Sequence, residues 1–147
     1  MSITLKFKKL HPSAVVPTYG SASAAGADLY ACLEQEVTLQ PGETRLIPTG
    51  LAMAIPEGYV GLIFARSGLA SKRGLAPANK VGVIDSDYRG EIMVALHNHS
   101  SLPASVAPQE RIAQILFTQY APAVFEQAEE LDCTERGAGG FGSTGVK

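Results

Sequence analysis

The sequence predicts an all-β fold, a jelly-roll-like barrel or sandwich with one short helix. Three observations predict it. Apolar residues recur mostly at every second position, the apolar runs are short, and turn-forming pairs separate them. Many short strands joined by such turns favour a closed barrel or a two-sheet sandwich. A length of 147 residues suits one domain with its own core, so 1–147 reads as a single domain.

In chain order, Ile3, Leu5 and Phe7 alternate with Thr4, Lys6 and Lys8, which predicts a first strand with one apolar face. Leu51, Met53 and Ile55 alternate before the turn residues Pro56-Glu57-Gly58. YVGLIF (59–64), EIMVAL (91–96), RIAQILF (111–117) and PAVFEQ (122–127) predict four further strands. Pro41-Gly42, Arg89-Gly90 and Leu102-Pro103 punctuate the chain. ARSGLASKRG (65–74) lacks alternation and predicts a short helix starting near Ser67 or Gly68. The last residues, about 134–147, read as a mobile arm because they are rich in glycine.

Bulk composition narrows the function. A formal net charge of −2 argues against a generally basic surface, so no nucleic-acid partner is expected. Cys32 and Cys133 are too few for a disulfide framework or a four-cysteine metal site. The opening stretch MSITLKFKKL lacks the apolar core of a secretion signal, and no apolar run reaches membrane-spanning length. A soluble, cytoplasmic protein without a membrane partner is the expectation.

Three clusters carry candidate chemistry. Arg66, Ser67 and Gly68 stand where a helix is predicted to start, and free N–H groups with an adjacent guanidinium attract phosphate. A solvated basic turn with Ser67 as N-cap is the plainer alternative. In GVIDSDYRGEI (82–92), the apolar pair Val83-Ile84 leads into Asp85, and a carboxylate delivered at the end of a buried strand can be oriented firmly enough to act as a base. Aspartates also favour turns for purely structural reasons. In AGADLYA (25–31), Asp28 caps a turn or helps hold a hydrated divalent cation, and spacing does not choose between these. His97 and His99 fall two apart without a third zinc ligand nearby and read as surface or interface residues.

The chain closes on RGAGGFGSTG (136–145), which contains G-x-G-x-x-G. A dinucleotide-binding turn needs a following helix and strand, and only five residues follow Gly142. Yet Arg136, the glycines, Phe141, Ser143 and Thr144 together offer a cation, backbone donors, hydroxyls and a stacking face.

In this order, AGADLYA, ARSGLASKRG, GVIDSDYRGEI, ERIAQILF (110–117) and RGAGGFGSTG resemble the five motifs of the trimeric dUTPase family, over residues 25–145. The resemblance implies a β-rich, jelly-roll-like subunit, a homotrimer with active sites shared between subunits, dUTP as substrate, and Mg²⁺. It implies that Asp85 activates the attacking water and that Asp28 holds the magnesium through water. It implies that Arg66, Ser67, Gly68 and Gln114 bind the phosphates, and that Asn79 with the backbone of Gly82, Val83 and Ile84 reads uracil. Tyr88 would pack under the deoxyribose. Arg136, Gly140, Ser143 and Thr144 would close on the phosphates, with Phe141 stacked on uracil. Products would be dUMP, a precursor for thymidylate, and pyrophosphate, and uracil incorporation into DNA would be limited.

One position departs from the family pattern. The fourth motif begins Gln109-Glu110-Arg111 where a glycine is usual, and Gln tolerates a left-handed backbone poorly. Arg111 is expected to form a structural ion pair. The alternatives are a dCTP deaminase or a bifunctional deaminase relative, and a non-catalytic nucleotide-binding protein on the same scaffold. The Phe-bearing arm and the intact Asp85 and Asp28 favour dUTP hydrolysis.

Overall fold

A computed structural model describes residues 2–141. The strands are β1 (Lys6–Lys9), β2 (Thr18–Tyr19), β3 (Ala27–Tyr30), β4 (Val37–Leu39), β5 (Thr44–Pro48), β6 (Leu51–Ala54) and β7 (Tyr59–Phe64). One helix, α1 (Ser67–Arg73), follows. The remaining strands are β8 (Leu75–Pro77), β9 (Gly82–Ile84), β10 (Met93–Asn98), β11 (Ala104–Val106) and β12 (Arg111–Gln119). All pairings between them are antiparallel. The fold is all-β and jelly-roll-like, with the sheet order β2-β3-β12-β7-β9 at its centre and β5-β10-β8 as the next largest sheet.

The core is aliphatic. Leu29, Leu39, Ile47, Leu51, Leu75, Leu96, Ile112 and Ile115 are fully enclosed. The expected alternation is clear in β6, where Leu51 and Met53 are buried and Ala52 and Ala54 partly exposed. Burying such side chains drives collapse, at ~1.5–3 kcal/mol each. Two buried polar groups, Thr49 and Asn98, are satisfied. The Thr49 hydroxyl donates to the Ile92 carbonyl (2.6 Å), and the Asn98 amide donates to the carbonyls of Leu39 (3.0 Å) and Leu102 (2.8 Å).

The helix falls where expected. Arg66, in an extended conformation, precedes its first turn, and Gly74 closes it with φ 67°, a left-handed value that suits glycine. Gly74 has a second reason to be glycine, since a Cβ there would stand 2.5 Å from Ser100 Cβ. Ser67 is thus the first helical residue rather than the cap.

Three sequence expectations are corrected. The first strand is shifted to Lys6–Lys9 and all four residues are exposed, because β1 pairs only β6 in a small two-stranded sheet. EIMVAL yields a strand two residues later, at Met93–Asn98, because Glu91 and Ile92 bond to the 49–51 turn instead. PAVFEQ forms no strand. Val124 and Phe125 are each 96% exposed, and among the described residues no strand pairs with this segment to supply backbone partners. Residues 120–141 lie outside every strand and helix.

Candidate active site

Strand register builds the first cluster. Gln114, on the central strand β12, is paired with Asp28 of β3 on one side and Phe64 of β7 on the other. Two residues beyond Phe64 the chain reaches Arg66 and the helix start. Residues widely separated in sequence therefore meet at one level of the sheet. A cavity of about 230 Å³ opens there, and its walls include Gly26, Asp28, Arg66, Ser67, Gly68 and Gln114.

Asp28 is nearly buried, at 8% exposure, and sits on a strand rather than capping a turn. Its two oxygens accept from different arginines, Arg66 Nε at 2.8 Å and Arg111 Nη1 at 3.4 Å. A carboxylate this enclosed needs such partners. The expected ion pair of Arg111 is thus found, with Asp28 as its partner. Gln114 is oriented by its Nε2, which donates to the Ala65 carbonyl at 2.9 Å. Gly26 makes room for that amide, because a Cβ at Gly26 would stand 2.6 Å from Gln114 Oε1. Ser67 and Gly68 contribute backbone N–H groups in the first helical turn, where no partner exists within the helix.

The second cluster lies on the β9–β10 connection. Asp85 follows the short strand β9 and is exposed, on a turn closed by the Tyr88 N–H donating to the Asp85 carbonyl at 3.2 Å. β9 is an edge strand, and Val83 is 60% exposed, so the strand end that carries Asp85 is not a buried one. Asp85, Val83, Ile84, Tyr88, Glu91, Leu46 and Met93 line a cleft of about 330 Å³. Asp85 and Val83 also line a neighbouring cleft of about 850 Å³. Asn79 stands on the turn before β9, with its Nδ2 3.4 Å from where a Cβ of Gly82 would stand. An exposed edge strand with an amide beside a glycine leaves backbone groups free to pair with a planar ring.

The structure brings Asp28, Arg66, Ser67, Gly68 and Gln114 together, and separately brings Asp85, Tyr88, Val83 and Ile84 together. The first cavity shares no lining residue with the other two clefts. Among the described arm residues, none joins either group. Arg136 Nε donates to the Gly139 carbonyl at 2.7 Å, Gly140 belongs to the same local turn region, and Phe141 is fully exposed. Ser143 and Thr144 lie outside the described residues. Glu43, which is held below the ordinary carboxylate range by the Gln40 N–H and then by Arg45, stands away from both clusters.

Residue type does not mark Gly26 or Glu91 in the sequence, and it marks Gly90 only as a turn residue. Their importance comes from close approaches that residue type alone does not reveal. A Cβ at Gly90, for instance, would stand 2.4 Å from the Tyr88 hydroxyl oxygen. Among the described residues, no three His, Cys, Asp or Glu side chains gather as metal ligands. The same residues include no helix long and apolar enough to cross a membrane.

A cationic, amide-lined cavity can accept phosphate oxygens and an exposed carboxylate can accept a proton from water, an arrangement compatible with the class of all-β nucleotide hydrolases. A family model for dUTPase matches residues 13–145, and the chain belongs to the dUTPase family. It is accordingly an enzyme, a dUTP diphosphatase. It is 49% identical over 144 residues to the deoxyuridine 5'-triphosphate nucleotidohydrolase of Syntrophotalea carbinolica, covering 98% of both chains. It is 57% identical over 132 residues to the enzyme of the same name from Desulfitobacterium hafniense, with 89% and 87% covered. Its fold superimposes on the dUTPase of Staphylococcus bacteriophage 80alpha, solved as a mutant with dUpNHpp, with TM-score 0.89, 30% identity and coverage of 99% and 100%. A mutant dUTPase of phage phi11 of S. aureus, whose structure is reported to reveal coordination of a structural Mg(II) ion, matches with TM-score 0.78 and 27% identity over 87% of this chain and 98% of that one.

Proposed function

We propose that the protein splits dUTP into dUMP and pyrophosphate by in-line attack of water on the α-phosphorus, in active sites completed between the subunits of a homotrimer. One observation carries this reading. The phosphate-suited cavity and the cleft at the carboxylate turn share no lining residue, which supports a site that takes one from each of two subunits.

Each residue then has a role that its geometry permits. Arg66 presents its guanidinium to the 230 Å³ cavity, with the Ser67 and Gly68 N–H groups beside it as phosphate donors. Gln114, held by Ala65, keeps a second amide N–H for the α-phosphate. Asp85, open to solvent, takes the proton of the attacking water, help worth about 10²–10⁴ in rate. Asn79 and the backbone of Gly82, Val83 and Ile84 read the uracil edge, and Tyr88 lies against the sugar. Residues 134–147 form an arm that folds over the bound nucleotide, with Arg136, Gly140, Ser143 and Thr144 on the phosphates and Phe141 on the base.

The donor set fits Mg²⁺ held mainly by substrate phosphates. A carboxylate offers about four acceptor positions, and the arginines occupy two of those on Asp28, which leaves acceptors for metal-bound water. When bound, the ion supplies charge neutralisation at the phosphates. Supply of dUMP for thymidylate synthesis and restriction of uracil in DNA follow from this activity, and cytoplasmic residence is compatible with it.

The test is pyrophosphate and ammonia release from dUTP, UTP, dTTP and dCTP, with and without Mg²⁺. Pyrophosphate from dUTP above all others, dependent on Mg²⁺, is expected. Ammonia from dCTP would replace this reading with the deaminase one, and the absence of any preference for dUTP would overturn it.

A further inference from the structure

The Tyr88 ring stands on an exposed turn and is 44% exposed, so core packing does little to fix it. Three local contacts hold it. Its hydroxyl donates to the Glu91 carbonyl at 2.8 Å, its N–H donates to the Asp85 carbonyl, and its ring end lies where a Cβ at Gly90 would otherwise stand. The Glu91 carbonyl is therefore the anchor for the phenol. Glu91 is itself anchored through its side chain, because Oε1 accepts the Gly50 N–H at 2.8 Å.

The far end of that link is rigid. Gly50 has φ 69°, and a Cβ there would stand 2.7 Å from Cys32 Sγ and 2.8 Å from Ala14 Cβ. On either side of it, the Thr49 N–H and hydroxyl both reach the Ile92 carbonyl, and the Ile92 N–H donates to the Leu51 carbonyl at 2.8 Å. Glu91 thus ties the β5–β6 turn, which packs on the core, to a ring that has no core packing of its own. Glu91 also lines the 330 Å³ cleft with Asp85 and Tyr88.

We propose that Glu91 is a positioning residue for sugar selection, holding Tyr88 so that the cleft accepts deoxyribose and refuses ribose. The proposal rests on the reading of Tyr88 given above. The two sugars differ by one hydroxyl, so a small displacement of the wall is enough to admit the larger one.

The experiment compares kcat/KM for dUTP and UTP in the wild type, Glu91→Ala, Glu91→Gln and Tyr88→Phe. Glu91→Ala is expected to lower the dUTP-to-UTP ratio about tenfold, the effect of one hydrogen bond. Glu91→Gln, which keeps an acceptor for Gly50, is expected to restore most of the ratio. Tyr88→Phe is expected to lower the ratio by itself, and the Ala–Phe double variant to lower it no further than the larger single change, since both act through one contact. Parallel losses on both substrates with an unchanged ratio, or additive losses in the double variant, would overturn the proposal. A substrate-free reading separates the link from the role of Tyr88. With 3-fluorotyrosine incorporated, the ¹⁹F line assigned to Tyr88 through its Phe variant should move in Glu91→Ala and return in Glu91→Gln. An unmoved line overturns the link, and a wild type without preference for dUTP overturns the sugar wall.

Discussion

The two clusters are built in opposite ways. The Asp28–Arg66–Gln114 cavity lies across three adjacent strands, with Asp28 nearly buried and each polar group held by a partner on another element. The Asp85–Tyr88 cleft lies on a turn beyond an edge strand, and apart from the Glu91–Gly50 link its hydrogen bonds reach only a few residues along the chain. The strand-held cluster is positioned by the fold, whereas the turn-held cluster depends on local contacts and on whatever docks against it. Binding groups that must hold a multiply charged ligand gain from preorganisation. A carboxylate that serves a water molecule needs access to solvent.

The contrast predicts unequal responses to mutation. The largest effect is expected for Asp85→Asn, which should lower turnover by about 10²–10⁴ while leaving stability and nucleotide affinity near wild type. Near-normal pyrophosphate release would break the assignment. Next is Asp28→Asn, which should act on both properties because its partners are structural. It should lower kcat/KM by roughly tenfold or more and unfolding stability by about 1–2 kcal/mol, read by denaturant titration. Loss of activity without loss of stability would mean that the ion pairs contribute nothing to the fold.

Gly26→Ala should be milder. The new methyl meets the mobile end of Gln114, so the amide swings away rather than the strand moving. Stability should stay within about 1 kcal/mol, while kcat/KM falls by about tenfold through the displaced donor. The smallest effect belongs to Gln109→Gly. Gln109 keeps the turn the family pattern calls for, at φ 58°, and its N–H donates to the Ala31 carbonyl at 2.8 Å. Gln109 therefore occupies the left-handed region that favours glycine, at a cost in strain. Restoring glycine should raise stability by about 0.5–1 kcal/mol, visible as a shift of a few degrees in Tm, with unchanged activity.

The sequence made the two clusters unequally legible. β6, β7, β12 and the helix were readable because alternation or its absence is strong there. β2, β4, β8, β9 and β11 have only two or three residues each, too few for a period to show. Arg66, Ser67 and Gly68 stood out by residue type. Gln114 did not, because its importance comes from lying opposite Asp28 and Phe64, which is a fact of register. The expected strand over 122–127 failed because alternation measures the wish to be covered, and none of the described residues covers Val124 or Phe125. Gly26, Gly50 and Gly90 matter through atoms that touch them, and only coordinates reveal those.

The extended segment after β12 has a consequence for biogenesis. Val124, Phe125 and Leu131 are almost wholly exposed, yet they are synthesised after every strand of the barrel. N-terminal regions of a chain begin folding while synthesis continues. These exposed apolar residues therefore leave the ribosome after β12, when the strands they could have mispaired with have already been synthesised and can be engaged with one another. Moved to the front of the chain, the same residues would be free to invade the barrel as it forms.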